Sequence, residues 1–269
     1  MPGKVSPANL RVSGVFMLND SFYQLILISW FFIAAFTFVA LLFIPAPYGR
    51  HSRPGWGPSI QARFGWMIME SVSPVLLIFF FSLGAENITP LTIFIICLWV
   101  LHYIQRSFIY PFLMKNGRKP MSLSIVGMAI FFNVVNSYLN GSAVSAKTLS
   151  YNQSWASDPR FIIGALLFLA GFFVNIHSDA TLRKLRTAGS DEYRIPSGGF
   201  FFLVSSANYF GEIVEWFGWA CLTWTWAGLC FAVWTAANLV PRALANHRWY
   251  REKFPEYPRH RKAVFPFLL

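Results

Sequence analysis

Seven apolar runs, each near the length of a bilayer-spanning helix, dominate this 269-residue sequence. They fall near residues 21–44, 66–84, 90–113, 121–140, 160–178, 202–225 and 227–245. A spanning helix needs about 20 mostly apolar residues, whereas a barrel strand needs only about 9–11. Inside lipid the backbone must satisfy its own hydrogen bonds, which runs of this length do as helices. Composition agrees: 12% of the residues are charged, against about 25% in soluble domains. The expected fold is an all-α integral membrane protein, a single domain over 1–269 folded as a seven-transmembrane helix bundle. The last two runs are separated only by "WTWAGL", read as a tight turn around Gly228, and they carry Glu212, Glu215 and Asn238. Six spans is therefore the competing count.

Charge discriminates between the two counts, because cytoplasmic loops collect Lys and Arg. With seven spans, one side receives three basic residues in 45–65, three in 114–120, four in 179–201 and seven in the tail, 17 of the 22 in the chain. The other side keeps Lys4, Arg11, Lys147 and Arg160, and Arg106 lies within a span. The expected topology places the N-terminus outside and the C-terminus in the cytoplasm. The net charge of +11 then reflects topology. It argues against a nucleic-acid partner, since the basic residues are spread over separate loops. The N-terminus lacks a signal-peptide pattern, so the first run is expected to remain as a span. Cys97, Cys221 and Cys230 lie in apolar runs without metal-ligand spacing and read as small buried hydrophobes. No metal site is expected.

Ionisable groups inside a membrane default to functional hypotheses. Glu70 lies in "WMIMESVSPVLL", His102, Tyr103 and Arg106 in "LHYIQRSFIY", and Glu212 and Glu215 in "NYFGEIVEWFGW". Short loops set the second and third runs side by side, so Glu70 and Tyr103 can face one cavity. A structural pairing of Glu70 with Arg106 competes with that reading. His102 reads as a packing or hydrogen-bonding residue, since no zinc pattern accompanies it.

The most polar stretch is "NIHSDATLRKLRTAGSDEYRIPSGG", 175–199. As a bland feature it is a solvated cytoplasmic loop. Against that, Asn175 and Asp179 share one helix face, Arg186 and Arg194 flank Tyr193, and Pro196 with Gly198 and Gly199 turns the chain back toward the membrane. Arginines suit phosphates, and the Asn and Asp side chains suit ribose hydroxyls or an amide. The Rossmann glycine fingerprint is missing. Residue chemistry alone reaches an anion or nucleotide site.

This stretch, followed by "SSANYFGEIVEWFGWA", resembles the C-terminal signature of the steroid 5α-reductase family. The tail "RALANHRWYREKFPEYPRHRKAVFPFLL" is similar to the same family, as are "YGRHS" at 48–52 and "LHYIQRSFIYPFL" at 101–113. The resemblance covers nearly the whole chain and inclines toward a bacterial homologue, in a bacterial cytoplasmic membrane, with the endoplasmic reticulum as the location if the source is eukaryotic. It implies seven spans, NADPH as cofactor and reduction of the carbon–carbon double bond of a Δ4-3-ketosteroid or similar enone lipid. About 1–113 would supply substrate-side helices and about 114–269 the NADPH half. By resemblance Glu70 and Tyr103 are catalytic. The cofactor contacts would be Arg118, Asn175, Asp179, Arg186, Tyr193, Arg194, Asn208, Glu212, Arg242 and Tyr250. Trp66 and Trp216 would line the substrate cavity with Glu70 and Tyr103. NADPH should be preferred over NADH, with Arg186 and Arg194 as candidates for the 2′-phosphate.

Two positions depart from the family pattern: Met69 stands where Gln is usual, and Asn246 stands where a His is expected. In the implied chemistry Tyr103 donates to the developing oxyanion, and Glu70 donates directly or orients Tyr103. The expected partners are an apolar steroid or lipid-like substrate and membrane lipid, the expected state a monomer. Competing classes are a sterol C14 reductase, an enoyl-thioester reductase, an isoprenylcysteine methyltransferase and a transporter. The triplets at Asn87, Asn140 and Asn152 are glycosylation sequons on the expected outer side.

Overall fold

A computed structural model describes residues 20–44, 55–186 and 193–269. The segment "YGRHS" and the pair Asp191 and Glu192 lie outside the described residues. In chain order the elements are α1 (Asp20–Phe43), β1 (Ser59–Gln61), α2 (Ala62–Ser82), α3 (Pro90–Ile104), α4 (Tyr110–Leu113), β2 (Pro120–Ser122), α5 (Leu123–Ala146), α6 (Gln153–Ala156), α7 (Pro159–Lys184), α8 (Ala207–Thr223) and α9 (Trp226–Lys253). A π-helical turn, Gln105–Ile109, joins α3 to α4, and a 3₁₀ turn, Gly199–Phe202, precedes α8.

Six of these rods are long and apolar enough to cross a membrane: α1, α2, the α3–α4 rod, α5, α7 and α9. The chain thus reads as a multi-pass membrane protein. The run at 202–225 gives α8, which has only 17 residues. Its junction with α9 falls at Trp224, in the left-handed conformation, and at Thr225, whose hydroxyl accepts from Gly228 N at 3.0 Å. Gly228 therefore belongs to the first turn of α9 and is not the turn residue the sequence suggested. An all-α fold was expected, but β1 and β2 pair antiparallel, Ser59 opposite Ser122. Strands of three residues are too short to show a period. Each runs straight into a helix, so the pair delivers α2 and α5 side by side.

The basic segments gather at one end of the bundle. The β1–β2 pair joins 59–61 to 120–122, Lys115 Nζ donates to Arg186 O at 2.8 Å, and Arg261 Nη1 donates to Pro196 O at 2.8 Å. At the opposite end Tyr151 Oη donates to Thr223 O at 2.7 Å and Lys147 Nζ to Trp224 O at 2.7 Å. There Asp158 caps α7, accepting from Arg160 N at 2.8 Å, and hydrogen bonds from the Arg160 side chain hold its carboxyl at about 2. Asn140 is not on an outer loop. It is buried in α5, where its Oδ1 accepts from Trp219 Nε1 at 2.9 Å.

The closest helix pair is α7 with α8. Gly164 and Gly171 on α7 meet Leu222 and Glu215, while Gly218 and Gly211 on α8 meet Phe168 and Asn175. A Cβ on Gly211 would stand 2.5 Å from Asn175 N, and at the other three it would collide with a backbone nitrogen. The glycines recur every seven residues on each helix, so they stay on one face and let the backbones touch. In antiparallel register this face places Asn175 and Asp179 against Asn208 and Glu212. Gly171→Ala is expected to lower the melting temperature, because overpacking costs about 1–3 kcal/mol and exceeds the roughly 1 kcal/mol that Ala gains over Gly in a helix. Gly127→Ala on α5, where an added Cβ meets nothing within 4 Å, is expected to raise it. Thermal unfolding of both variants in one detergent checks the contrast, and a Gly171→Ala protein as stable as Gly127→Ala would refute the tight register.

Candidate active site

α2, the α3–α4 rod, α5, α7, α8 and α9 enclose a cavity of about 1140 Å³. On α9 its wall is a stripe at helical spacing: Phe231, Thr235, Asn238, Arg242, Asn246 and Tyr250. From Phe231 to Tyr250 this stripe runs about 28 Å at 1.5 Å per residue, passing its one cation, Arg242, about 16 Å from Phe231.

The aromatic end is built by α2, α3 and α8. Tyr103 is 3% exposed and packs against Trp99 and Trp216, with ring centroids 5.3 and 6.0 Å away. Trp216 in turn lies 4.2 Å from Phe231. Glu70 and Tyr103 line the same cavity, and no hydrogen bond joins them among the described residues. Beside Glu70, Asn133 Nδ2 on α5 donates to Met69 O at 2.7 Å. Met69 turns away from the cavity into a buried cluster with Ala62, Met121 and Val126, so it offers no polar group where the family usually has Gln.

Between the two ends stands Arg106. The π-helical turn carries it, and such turns recur at functional sites. Its Nη1 meets Asp179 Oδ2 at 3.1 Å and its Nη2 meets Glu212 Oε2 at 3.6 Å. The guanidinium lies over the rings of Trp66 and Tyr110, 4.8 and 4.9 Å from their centroids. Asn208 Nδ2 donates to Asp179 Oδ1 at 3.1 Å, and Asn175 Nδ2 donates to Asn208 O at 2.9 Å and to Glu212 Oε2 at 3.4 Å. The pairing of Arg106 with Glu70 considered from sequence is thus replaced by pairing with Asp179 and Glu212, which the α7–α8 register brings together.

The cationic end is formed by Lys115, Lys119, Arg183, Arg186 and Arg242. Arg186 lies 3.7 Å from the Tyr193 ring centroid, and Arg242 Nη1 donates to Asn238 Oδ1 at 3.2 Å. The C-terminal tail closes this end. Tyr257 stacks on Tyr250 at 5.3 Å, and its hydroxyl donates to Ser205 Oγ at 2.7 Å. Ser205 Oγ donates to Lys262 O at 3.1 Å, so the 2.6 Å contact with His247 Nδ1 has the ring nitrogen as donor.

Comparison with known proteins bears on this arrangement. The sequence model of the family "3-oxo-5-alpha-steroid 4-dehydrogenase" matches residues 119–269. Steroid 5-alpha-reductase DET2 of Gossypium hirsutum is 41% identical over 254 residues, covering 93% of this chain and 98% of that protein. The human 3-oxo-5-alpha-steroid 4-dehydrogenase 1 is 42% identical over 225 residues, covering 82% of this chain and 85% of that protein. The chain belongs to the 3-oxo-5-alpha-steroid 4-dehydrogenase family. It is accordingly an oxidoreductase acting on a CH–CH bond. These relatives are plant and mammalian and lend no support to the expected bacterial homologue.

Of the residues that the family resemblance singled out, eleven line the cavity: Trp66, Glu70, Tyr103, Asp179, Arg186, Tyr193, Asn208, Glu212, Trp216, Arg242 and Tyr250. Asn175 is buried one layer behind them. Arg118 and Arg194 are exposed and are not part of the wall. The sequence reading assigned no site role to Arg106, Lys115, Arg183 or Ser205. A signal for Arg106 was present, since a lone cation in an apolar run demands an acid from another helix. His102 is a buried hydrogen-bonding residue as expected, with Glu215 as its partner. Arg106→Met is expected to destabilise the fold by about 3–5 kcal/mol, because it leaves the buried carboxylate of Asp179 and the partly buried one of Glu212 without their cation. Melting and denaturant unfolding check this, and stability within 1 kcal/mol (roughly the worth of an exposed ion pair) would count against its central place.

Proposed function

We propose that the protein reduces the Δ4 carbon–carbon double bond of a 3-ketosteroid, or of an enone lipid like it, with NADPH. The observation that carries this reading is the single cavity with an aromatic end at Glu70 and Tyr103 and a cationic end at Arg183, Arg186 and Arg242. Its volume of about 1140 Å³ exceeds the roughly 300–1,000 Å³ of a pocket for one drug-sized ligand, in keeping with two molecules laid end to end.

The residues fit such a cofactor. Arg183 Nη1 and Ser206 Oγ are buried in the wall without hydrogen-bond partners among the described residues. Both are donors in want of an acceptor, and phosphate oxygens supply acceptors. Ser206 stands at the N-cap of α8, where the helix dipole favours an anion. Arg186 and Arg242 offer fixed positive charge, and Glu212 keeps Oε1 for a ligand hydroxyl or amide. When bound, NADPH supplies the hydride. The protein supplies the rest. Tyr103 donates a hydrogen bond to the carbonyl oxygen as charge develops there, Glu70 donates beside it or orients it, and the aromatic wall excludes water. The substrate-side and cofactor-side halves of the chain meet at Arg106.

In this reading α8 is a seventh span. It measures about 25 Å at 1.5 Å per residue, somewhat short of a hydrocarbon core of about 30 Å, and it is sheltered between α7 and α9. The N-terminus is outside, and the basic end with the tail is cytoplasmic, where NADPH reaches the cavity while an apolar substrate arrives from lipid. A cysteine placed at Leu269 is expected to react with an impermeant reagent only after the cells are permeabilised. Labelling of intact cells would reverse the topology.

Purified protein is expected to oxidise NADPH when offered Δ4-3-ketosteroids and to release the saturated ketone, identified by mass spectrometry. Tyr103→Phe should lower kcat by about 10²–10³, the usual cost of one oxyanion donor, with NADPH binding nearly unchanged. Glu70→Gln should lose less than Glu70→Ala, since the amide still donates. A folded Tyr103→Phe enzyme with wild-type turnover would remove Tyr103 from the mechanism.

A further inference from the structure

Reducing an enone consumes a hydride at the β carbon and a proton at the α carbon, and Tyr103 and Glu70 attend only to the oxygen. A second titratable pair lies beside them. His102 Nδ1 is 2.8 Å from Glu215 Oε1, and Glu215 is fully buried, its Oε2 without a partner among the described residues. His102 lines the cavity. Its ring lies 5.0 Å from that of Tyr103 and 4.6 Å from that of Trp216. With Nδ1 given to Glu215, Nε2 is the nitrogen left for the cavity.

We propose that His102, oriented by Glu215, delivers the proton to the α carbon of the substrate. The inference rests on the reductase reading above. The balance is as follows. A hydride from a reduced nicotinamide forms the new bond at the β carbon. The π pair of the double bond shifts to give an enolate whose oxygen is held by Tyr103. As the enolate collapses, its electron pair takes the proton from His102 Nε2, and the carbonyl re-forms. The proton shared between Nδ1 and Oε1 then stays on Nδ1, leaving Glu215 as carboxylate. Water restores the one proton lost. The geometry suits this sequence, because the α carbon is two bonds from the oxygen that Tyr103 holds, and the two rings are neighbours. A buried carboxyl group with one orphaned oxygen is costly to maintain, and a purely structural link between α3 and α8 would be better served by groups that leave no oxygen unpaired. The other charged groups facing the pair are Glu70 on α2, Arg106 on the π-helical turn and Glu212 on α8. Arg106 and Glu212 are already paired with each other, and Glu70 stands at the oxygen. Glu215 is thus a positioning residue, and His102 is the one that touches the reacting carbon.

The test compares wild type, His102→Gln and Glu215→Gln in ordinary and heavy water, with melting temperature measured on the same preparations. General acids contribute about 10²–10⁴ in rate. His102→Gln is expected to lower kcat by that factor at nearly constant KM for NADPH, and Glu215→Gln by less. Independently of reductive turnover, wild type given the saturated ketone and oxidised cofactor in heavy water should exchange one α-hydrogen, seen by NMR, and His102→Gln should slow that exchange at least about 100-fold. Wild-type reduction in heavy water should place deuterium on one face of the α carbon only. Equal labelling of both faces, which needs no variant to fold, would overturn the proposal. So would a folded His102→Gln enzyme with unchanged turnover and exchange. Wild-type protein that binds NADPH yet reduces no enone would overturn the reductase reading itself, and the proton step with it, before any variant is compared.

Discussion

The backbone contact between α7 and α8 is the constraint on which the rest of the site depends. Lipid offers no hydrophobic drive for two apolar helices to associate, so close packing has to supply it. Four glycines provide that closeness, and the four neighbours they meet fix the antiparallel register residue by residue. Once Gly211 lies on Asn175, the next turn toward the basic end has to set Asp179 against Asn208. The polar cluster is therefore a consequence of the glycine spacing, one turn beyond the last glycine contact. A slip of one residue would carry Asp179 off this face and leave it in an apolar environment without Asn208, at a cost of several kcal/mol for an unpaired buried charge.

Arg106 links this pair of helices to the other half of the bundle. Buried ion pairs contribute little net stability, because desolvation offsets much of the attraction, yet losing one partner is expensive. Such a pair specifies more than it stabilises. Here it specifies that the π-helical turn after α3 faces α7 and α8 and no other pair. The extra residue of the turn shifts Arg106 and Tyr110 relative to a continuous α-helix, and both then flank Trp66. Glu70 and Tyr103 at one end of the cavity and Arg242 of α9 at the other are in this way referred to one guanidinium.

Much of this was legible in the sequence because the signals are local. Hydropathy is a property of consecutive residues, and the observed helices follow the apolar runs to within a few residues at most ends. The basic loops marked one end of the bundle, and hydrogen bonds from Lys115 and Arg261 gather them there. Asn175 and Asp179 were placed on one helix face from their spacing alone. What was not legible depends on which helix meets which. Glycines at 164, 171, 211 and 218 look like ordinary small residues in apolar runs until two of the runs are laid together. Arg106 was seen as an intramembrane cation but matched to Glu70, the acid of the neighbouring run, because nothing in the sequence brings the far helices α7 and α8 nearer. Asn140 looked like a sequon because the triplet is local, whereas its burial against Trp219 is not.

The tail shows why a polar site of this kind needs residues from the end of the chain. α9 leaves the bundle at Lys253, and without further structure the cationic end of the cavity would open broadly to water. There the charges of Arg186 and Arg242 would be screened and worth little. The chain instead folds back. Lys262 pairs with Val204 in a short parallel bridge, and Ser205 N and Ser206 N donate to Lys262 O and Ala263 O at 2.8 and 3.1 Å. Tyr257 then seats on Tyr250, and Ala263 and Val264 are buried against Ile213 and Val240. The backbone that leads into α8 is thereby fixed by backbone bonds, and Ser206, whose N–H is already used, keeps a buried hydroxyl without a partner among the described residues. A site that holds an anion by pre-placed donors needs those donors rigid before the anion arrives. The last residues of the sequence provide that rigidity for the first turn of α8, at the far side of the chain from the helices that carry Glu70 and Tyr103.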